Sequence, residues 1–242
     1  MFSHEGPSRS AKNNRTLASY LALIAGFVNS GGFVLLGTFT SHVTGSIGRL
    51  ANDLARRHLG AATLAGTFVV AFCVGAFVAS LLIESGRRRA SRAYGLALFV
   101  ECAALAAFAI IAAYARFESA RSIDAEAAIL CFAMGVQNSL VTNLSGAVVR
   151  TTHLTGVVTD LGIDAARWYY WFVSRRTETE LVRPSLVKTV LLLTILLSFT
   201  VGAIAGALFT MEFGPLAMMA PSVALLVASL YALTEHRRRR CE

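Results

Sequence analysis

Six apolar segments, each about as long as a bilayer's hydrocarbon core is thick, leave this chain few ways to fold. They cover roughly 17–36, 61–83, 94–115, 125–149, 185–209 and 215–233. A helix needs ~20 apolar residues to cross. In lipid every backbone N–H and C=O must be satisfied within the protein, so only helices and closed barrels can span. These runs are continuous, without the alternation of a barrel strand. The expected fold is therefore all-α, a polytopic transmembrane helix bundle of about six spans. Small residues three or four positions apart, as in Gly75-Ala-Phe-Val-Ala79 and Ala203-Ile-Ala-Gly206, let helix backbones approach and imply a packed bundle.

Composition agrees. Hydrophobic residues make up 55% and charged residues 15%, where soluble domains carry about 25% charge. The net charge of +8 sits in short clusters between the apolar runs, notably Arg87–Arg89 with Arg92, and Arg237–Arg240. Such clusters orient a membrane protein. No aromatic-interleaved basic domain is present to bind nucleic acid. With six spans and the N-terminus inside, most Lys and Arg fall on the cytoplasmic side, predicting cytoplasmic N- and C-termini in a bacterial inner membrane. The polar start, residues 1–16, lacks the form of a cleavable signal peptide and is expected to be a disordered cytoplasmic tail. The four cysteines form no CxxC pair and suit small core positions rather than a metal or disulfide framework. No cofactor is implied, and the oligomeric state is left open.

A polar segment lies between the apolar runs, and it occurs twice. His42-Val-Thr44-Gly45-Ser-Ile-Gly-Arg49-Leu-Ala-Asn-Asp53-Leu-Ala-Arg56 matches His153-Leu-Thr155-Gly156-Val-Val-Thr-Asp160-Leu-Gly-Ile-Asp164-Ala-Ala-Arg167 at seven positions. Upstream, Gly26-Phe-Val-Asn29-Ser30 echoes Gly135-Val-Gln137-Asn138-Ser139. The chain thus divides into a first transmembrane repeat, 17–115, a connecting loop, 116–124, a second repeat, 125–233, and a basic tail, 234–242. Three spans per repeat makes the repeats inverted, an arrangement that builds sites where the halves meet. If the polar segments themselves crossed, the count would be eight and the repeat parallel; the Arg87–Arg92 cluster would then lie outside, which is disfavoured.

Both polar segments read as amphipathic or re-entrant helices. His42, Ser46, Arg49, Asp53 and Arg56 share one face, as do His153, Val157, Asp160, Asp164 and Arg167. Thr40/Ser41 and Thr151/Thr152 are suitable N-caps. Arg49 and Asp160 occupy equivalent positions with opposite charge and could pair across the repeat axis. Local pairs, Arg49 with Asp53 and Asp164 with Arg167, compete with that.

The polar residues near or within spans are the candidate solute or ion pathway. His42 and His153 suit proton transfer or structural hydrogen bonding; two histidines without nearby Cys or Glu make a poor metal site. Asn29 and Asn138, with Gln137, suit either a solute or ion site or interhelical hydrogen bonds. Ser30-Gly31-Gly32 is expected to loosen the first span. Glu101 lies inside an apolar run, where a charge is expensive. It serves as a coupling-proton site or as a structural hydrogen-bonding group.

Gly26-Phe-Val-Asn29, Phe39-Thr-Ser41-His42-Val-Thr44-Gly45 and Gly135-Val-Gln137-Asn138 with Arg150-Thr-Thr152-His153-Leu-Thr155-Gly156 resemble the YoaK-type family of bacterial multipass membrane proteins. The resemblance covers about 17–233. It implies an integral inner-membrane protein and no settled substrate, reaction or cofactor. Asn29 departs from an Asp-containing pattern in many relatives.

Three functions compete. A transporter of a small solute or ion fits the repeated halves and matched polar residues. A non-catalytic assembly or regulatory component fits the lack of a substrate motif. A membrane-embedded enzyme would need Ser41, His42 and Asp53 as a catalytic set, but adjacent Ser and His rarely align and no nucleophile elbow is visible. The expectation is a non-enzyme whose partners are the bilayer and a small solute or ion.

Overall fold

The computed structural model describes residues 10–86, 90–114, 120–173 and 184–238. Among them the chain forms eight α-helices: α1 (Ala11–Leu36), α2 (Val43–Ala55), α3 (Leu59–Ser85), α4 (Ala90–Tyr114), α5 (Ala120–Ser145), α6 (Leu154–Val173), α7 (Leu186–Phe213) and α8 (Met219–Arg238). No strand occurs among the described residues. The stretches long and apolar enough to cross a membrane are Ala11–Leu36, Leu59–Ser85, Ala93–Tyr114, Asp124–Ser145 and Leu186–Thr234. The last is 49 residues and holds both α7 and α8. Gly214, with φ of 60°, and Pro215 break it through a short 3₁₀ turn, Gly214–Met218. The protein is a multispan helical membrane bundle.

Helix ends correct three sequence expectations. α1 begins at Ala11, because Ser10 caps it by accepting from the Asn13 N–H, so 11–16 are helix rather than tail. α5 begins at Ala120, inside the expected 116–124 loop, and α8 carries into 234–238. Helical hydrogen bonding runs past the apolar limit because it needs no apolar side chains. The side chains of the Arg87–Arg92 and Arg237–Arg240 clusters lie outside the described residues.

The helices pair in a pattern that hydropathy does not contain. In α1, a Cβ at Gly26 would collide with the Phe199 carbonyl oxygen of α7, and one at Gly202 with that of Leu23. In α5, a Cβ at Gly135 would collide with the Phe72 carbonyl of α3, and one at Gly75 with that of Phe132. Each pair of backbones therefore touches, as small-residue crossings allow. The two crossings are the same crossing. Gly26 and Gly135 are repeat equivalents, and Phe72-Cys-Val-Gly75-Ala matches Phe199-Thr-Val-Gly202-Ala. The first helix of each repeat thus packs on the third helix of the other.

Hydrogen bonds between the helices fix their directions. Ser80 and Ser139 hydroxyls meet at 2.8 Å, further along the α3–α5 seam than Gly75 and Phe132, so these helices are parallel. Between α4 and α8, Ser222 Oγ donates to the Cys102 carbonyl at 3.0 Å and Ser229 Oγ to that of Gly95 at 2.7 Å. Residue numbers rise on one helix as they fall on the other. The fourth helices of the two repeats are antiparallel, which inverts the repeats and excludes the eight-crossing parallel arrangement. α2, with 13 residues, reaches only ~20 Å, too short to cross.

The core runs through Leu17, Leu21, Leu98, Leu105, Phe108, Leu130, Met134 and Leu140, all fully buried. α5 is the most enclosed span and α3 the least. Val70, Phe77 and Leu81 of α3 and Leu197, Val201, Ile204 and Leu208 of α7 project outward and exposed. Outward apolar faces of this length are what lipid covers.

Candidate functional site

Each repeat builds the same latch where its first helix ends. α1 stops at Gly37, whose φ of 65° turns the chain while its N–H donates to the Phe33 carbonyl. The chain then returns to Asn29. The Asn29 Oδ1 accepts from the Ser41 N–H at 3.2 Å and from the Ser41 hydroxyl at 2.9 Å. In the second repeat, Gly146 and Ala147 turn the chain with positive φ, and the Asn138 Oδ1 accepts from the Thr152 hydroxyl. Asn138 Nδ2 donates to the Met134 carbonyl at 2.8 Å. Thr40 and Thr151, one residue before, are buried with hydroxyls that have no partner among the described residues. The amides therefore set the hinge into α2 and α6. Their oxygens are satisfied by protein.

The expected loosening at Ser30-Gly31-Gly32 does not occur: α1 is continuous through Leu36. The two glycines provide room instead. A Cβ on Gly31 would strike Met218 and Thr210 side chains, and one on Gly32 would crowd Leu130 and Thr40 at 3.1 Å.

His42 and His153 stand at the N-cap positions of α2 and α6, and both are exposed. Gly45 leaves space for the first imidazole, since a Cβ there would come within 2.7 Å of His42 Nδ1. Phe39 stacks on Phe33 with centroids 4.4 Å apart and meets His42 edge-on at 6.4 Å. Gly156 has open space around it. Thr44 and Thr155 lie exposed in the first turns of their helices. The two histidines do not share a pocket. The chain after α5, Val148, lines one groove with the start of α1, Ala11–Arg15. His153 is therefore at α1's beginning and His42 beyond its end, about 39 Å of helix apart for 26 residues. Inversion places the second copy of a helix-end motif at the opposite end of the bundle.

The charged residues follow the same division. Asp160 pairs with Lys188 of α7 at 3.2 Å, not with Arg49. Asp164 is buried, accepts from the Thr189 hydroxyl at 3.1 Å and meets Arg167 at 3.5 Å. The local Asp164–Arg167 pair forms as the spacing suggested. Arg49 is exposed and Asp53 half-buried, and no ion pair joins Arg49 to either aspartate. Around His153, a cavity of about 370 Å³ is lined by Arg150, Gly156, Asp160 and Leu192.

Glu101 is fully buried in α4, and neither carboxylate oxygen has a partner among the described residues. It lies beside Cys102 on the α4–α8 seam. Gln137 is also fully buried; its Nε2 donates to the Leu21 carbonyl at 2.8 Å while its Oε1 is unpartnered. Tyr20, next to Leu21, donates its hydroxyl to the Ala224 carbonyl at 2.6 Å. The bundle centre thus holds a carboxyl and an amide oxygen with spare hydrogen-bonding capacity.

A family model for proteins of unknown function, DUF1275, matches residues 17–231. The chain belongs to the DUF1275 family. No curated protein and no solved structure matches it.

Within this DUF1275 chain, the site residues fall into three places rather than one. Asn29, Ser41, His42, Thr44, Gly45, Arg49 and Asp53 gather at one end. Asn138, His153, Thr155, Gly156, Asp160 and Asp164 gather at the other. Glu101 and Gln137 lie between. Sequence reasoning missed Lys188, Thr189 and Arg150, which complete the second end. The recurrence of Phe-x-Val-Gly-Ala in α3 and α7 was the signal that would have aligned α7 with α3 and shown that Lys188 and Thr189 have alanines, Ala61 and Ala62, as counterparts.

Proposed function

We propose that this DUF1275 protein is a carrier for a small solute or ion in a bacterial inner membrane, with both termini cytoplasmic. The observation that carries the reading is a buried carboxyl, Glu101, without a partner among the described residues, beside the seam of two antiparallel, repeat-equivalent helices, α4 and α8. An intramembrane acid facing a bundle interior is a natural place to bind a proton or cation. Inverted repeats let one half rock against the other and open the centre to alternate sides. Basic residues at the end that holds the starts of α1 and α7, Lys12, Arg15, Arg150 and Lys188, favour that end facing the cytoplasm.

A non-enzymatic role fits the local chemistry. The Ser41 hydroxyl donates to Asn29 rather than to an imidazole, so the Ser41–His42 neighbours lack nucleophile activation.

The test is proton flux in proteoliposomes loaded with a pH-sensitive dye, during addition of pooled amino acids, sugars, organic acids and metal salts. One pool is expected to drive proton movement in wild type and not in Glu101→Gln. Flux unchanged in Glu101→Gln removes the carboxyl from the mechanism, and an inert wild type across all pools removes the proton-coupled carrier.

A further inference from the structure

The end of the bundle that carries His153 has a second feature. A groove of about 720 Å³ opens between the start of α1, the hinge before α6 and the first turns of α7. It adjoins the His153 cavity, sharing Val148, Asp160 and Leu192. We infer that this groove holds an anionic membrane lipid, its phosphate at the basic rim and its acyl chain along α7. The inference is independent of whether the protein carries a solute.

Charge complementarity supplies the first argument. Lys12, Arg15 and Lys188 rim the groove and Arg150 rims the adjoining cavity. One carboxylate, Asp160, is present, and Lys188 already engages it at 3.2 Å. That leaves Lys12, Arg15 and Arg150, all exposed, as cationic donors for an incoming phosphate. α1 and α7 also begin here, capped by Ser10 and Ser185, and their N-terminal dipoles add to the positive field.

The wall decides between a lipid and a soluble anion. Beside the basic residues the groove is lined by Leu186, Val187, Val190 and Leu191. The first three are exposed, on the opening turns of a span. A free phosphate would touch only the rim and leave this wall bare. A lipid satisfies both, since the apolar wall descends into hydrocarbon as the basic rim meets the headgroups. Basic pockets between spans near a membrane face bind anionic headgroups in this way. The rim is also at headgroup depth by a separate sign: α6 presents Tyr169, Tyr170 and Phe172 exposed at its end, residues that anchor at the membrane–water boundary.

The experiment is thermal unfolding of the full chain in mild detergent, with added phosphatidylglycerol, phosphatidylcholine or inorganic phosphate. Phosphatidylglycerol is expected to raise the melting temperature over phosphatidylcholine by roughly 5 °C. The double variant Lys12→Gln/Arg15→Gln is expected to lose most of that difference. Arg56→Gln/Arg57→Gln, at the other end of the bundle, is expected to keep it. As a second measure, native mass spectrometry should find phosphatidylglycerol retained by wild type and depleted in Arg150→Gln. Equal response to the two lipids, or full discrimination in Lys12→Gln/Arg15→Gln, overturns the proposal. A matching rise with inorganic phosphate overturns the lipid and leaves a soluble-anion site.

Discussion

Asn29 holds Ser41 by two hydrogen bonds to a single oxygen, the backbone N–H at 3.2 Å and the hydroxyl at 2.9 Å. The pair closes the turn after α1, and Asn138 with Thr152 closes the equivalent turn after α5. Of the two readings the sequence left open for Asn29, a solute or ion site and a hydrogen-bonding group, these bonds show the second at work within the chain itself.

This makes the side chain's chemistry testable. Both bonds end on Oδ1, so an acceptor is all the turn requires. Asn29→Asp is expected to keep the fold, because a carboxylate accepts the same two donors and more strongly. Asn29→Leu leaves the half-buried Ser41 donors unmet and should cost on the order of 1 kcal/mol. Thermal melts of the two variants would separate them. An Asp variant as unstable as the Leu variant would mean that the Asn29 amide nitrogen matters.

The glycine crossings predict a paired sensitivity. Gly26→Leu and Gly135→Leu should each destabilise by at least ~1–3 kcal/mol, the range for overpacking, since each new side chain meets backbone that cannot turn aside. Gly48→Ala and Gly162→Ala meet nothing within 4 Å and should be near neutral. The crossings involve different helices, so the double variant should sum the single effects. Unfolding curves in detergent give all these values.

Inversion predicts where labels enter. In a cysteine-free background, Ala55→Cys at the end of α2 and Ala147→Cys before α6 should react with an impermeant thiol reagent from opposite faces of the membrane. Labelling from one face would mean that the repeats are parallel and that α4 and α8 do not pair as described.

The ion pairs predict which charge swap works. Asp160 meets Lys188, with both side chains nearly half exposed. Exchanging them as Asp160→Lys with Lys188→Asp should recover the stability lost in the single variants. The exchange Arg49→Asp with Asp160→Arg should recover nothing. The coupling in a double-mutant cycle should be small, below ~1 kcal/mol, because water screens the pair.

How much was legible in advance depended on the range of the interaction. The spans could be read because burial in lipid demands a continuous apolar run, and each residue contributes on its own. Helix starts were less legible: Ser10 extends α1 by a capping bond that hydropathy ignores. The repeat was visible in His42-x-Thr-Gly and His153-x-Thr-Gly. Its consequence for the site came from the topology: three crossings between copies send the second motif to the far end, so the two histidines cannot share a pocket. Lys188 was invisible as a partner of Asp160 because nothing along the chain links α6 to the third residue of α7.

Taken alone, the amino-acid order determined that this is a helical membrane protein in two related halves, because hydrophobic length and local similarity are properties of contiguous residues. Tertiary structure alone decided that α1 lies on α7 and α5 on α3, that α4 opposes α8, and that Glu101 is enclosed without a partner among the described residues. Those outcomes arise where two backbones come close enough to touch, at glycines far apart in the chain, and such proximity is a property of the packed bundle rather than of any single segment.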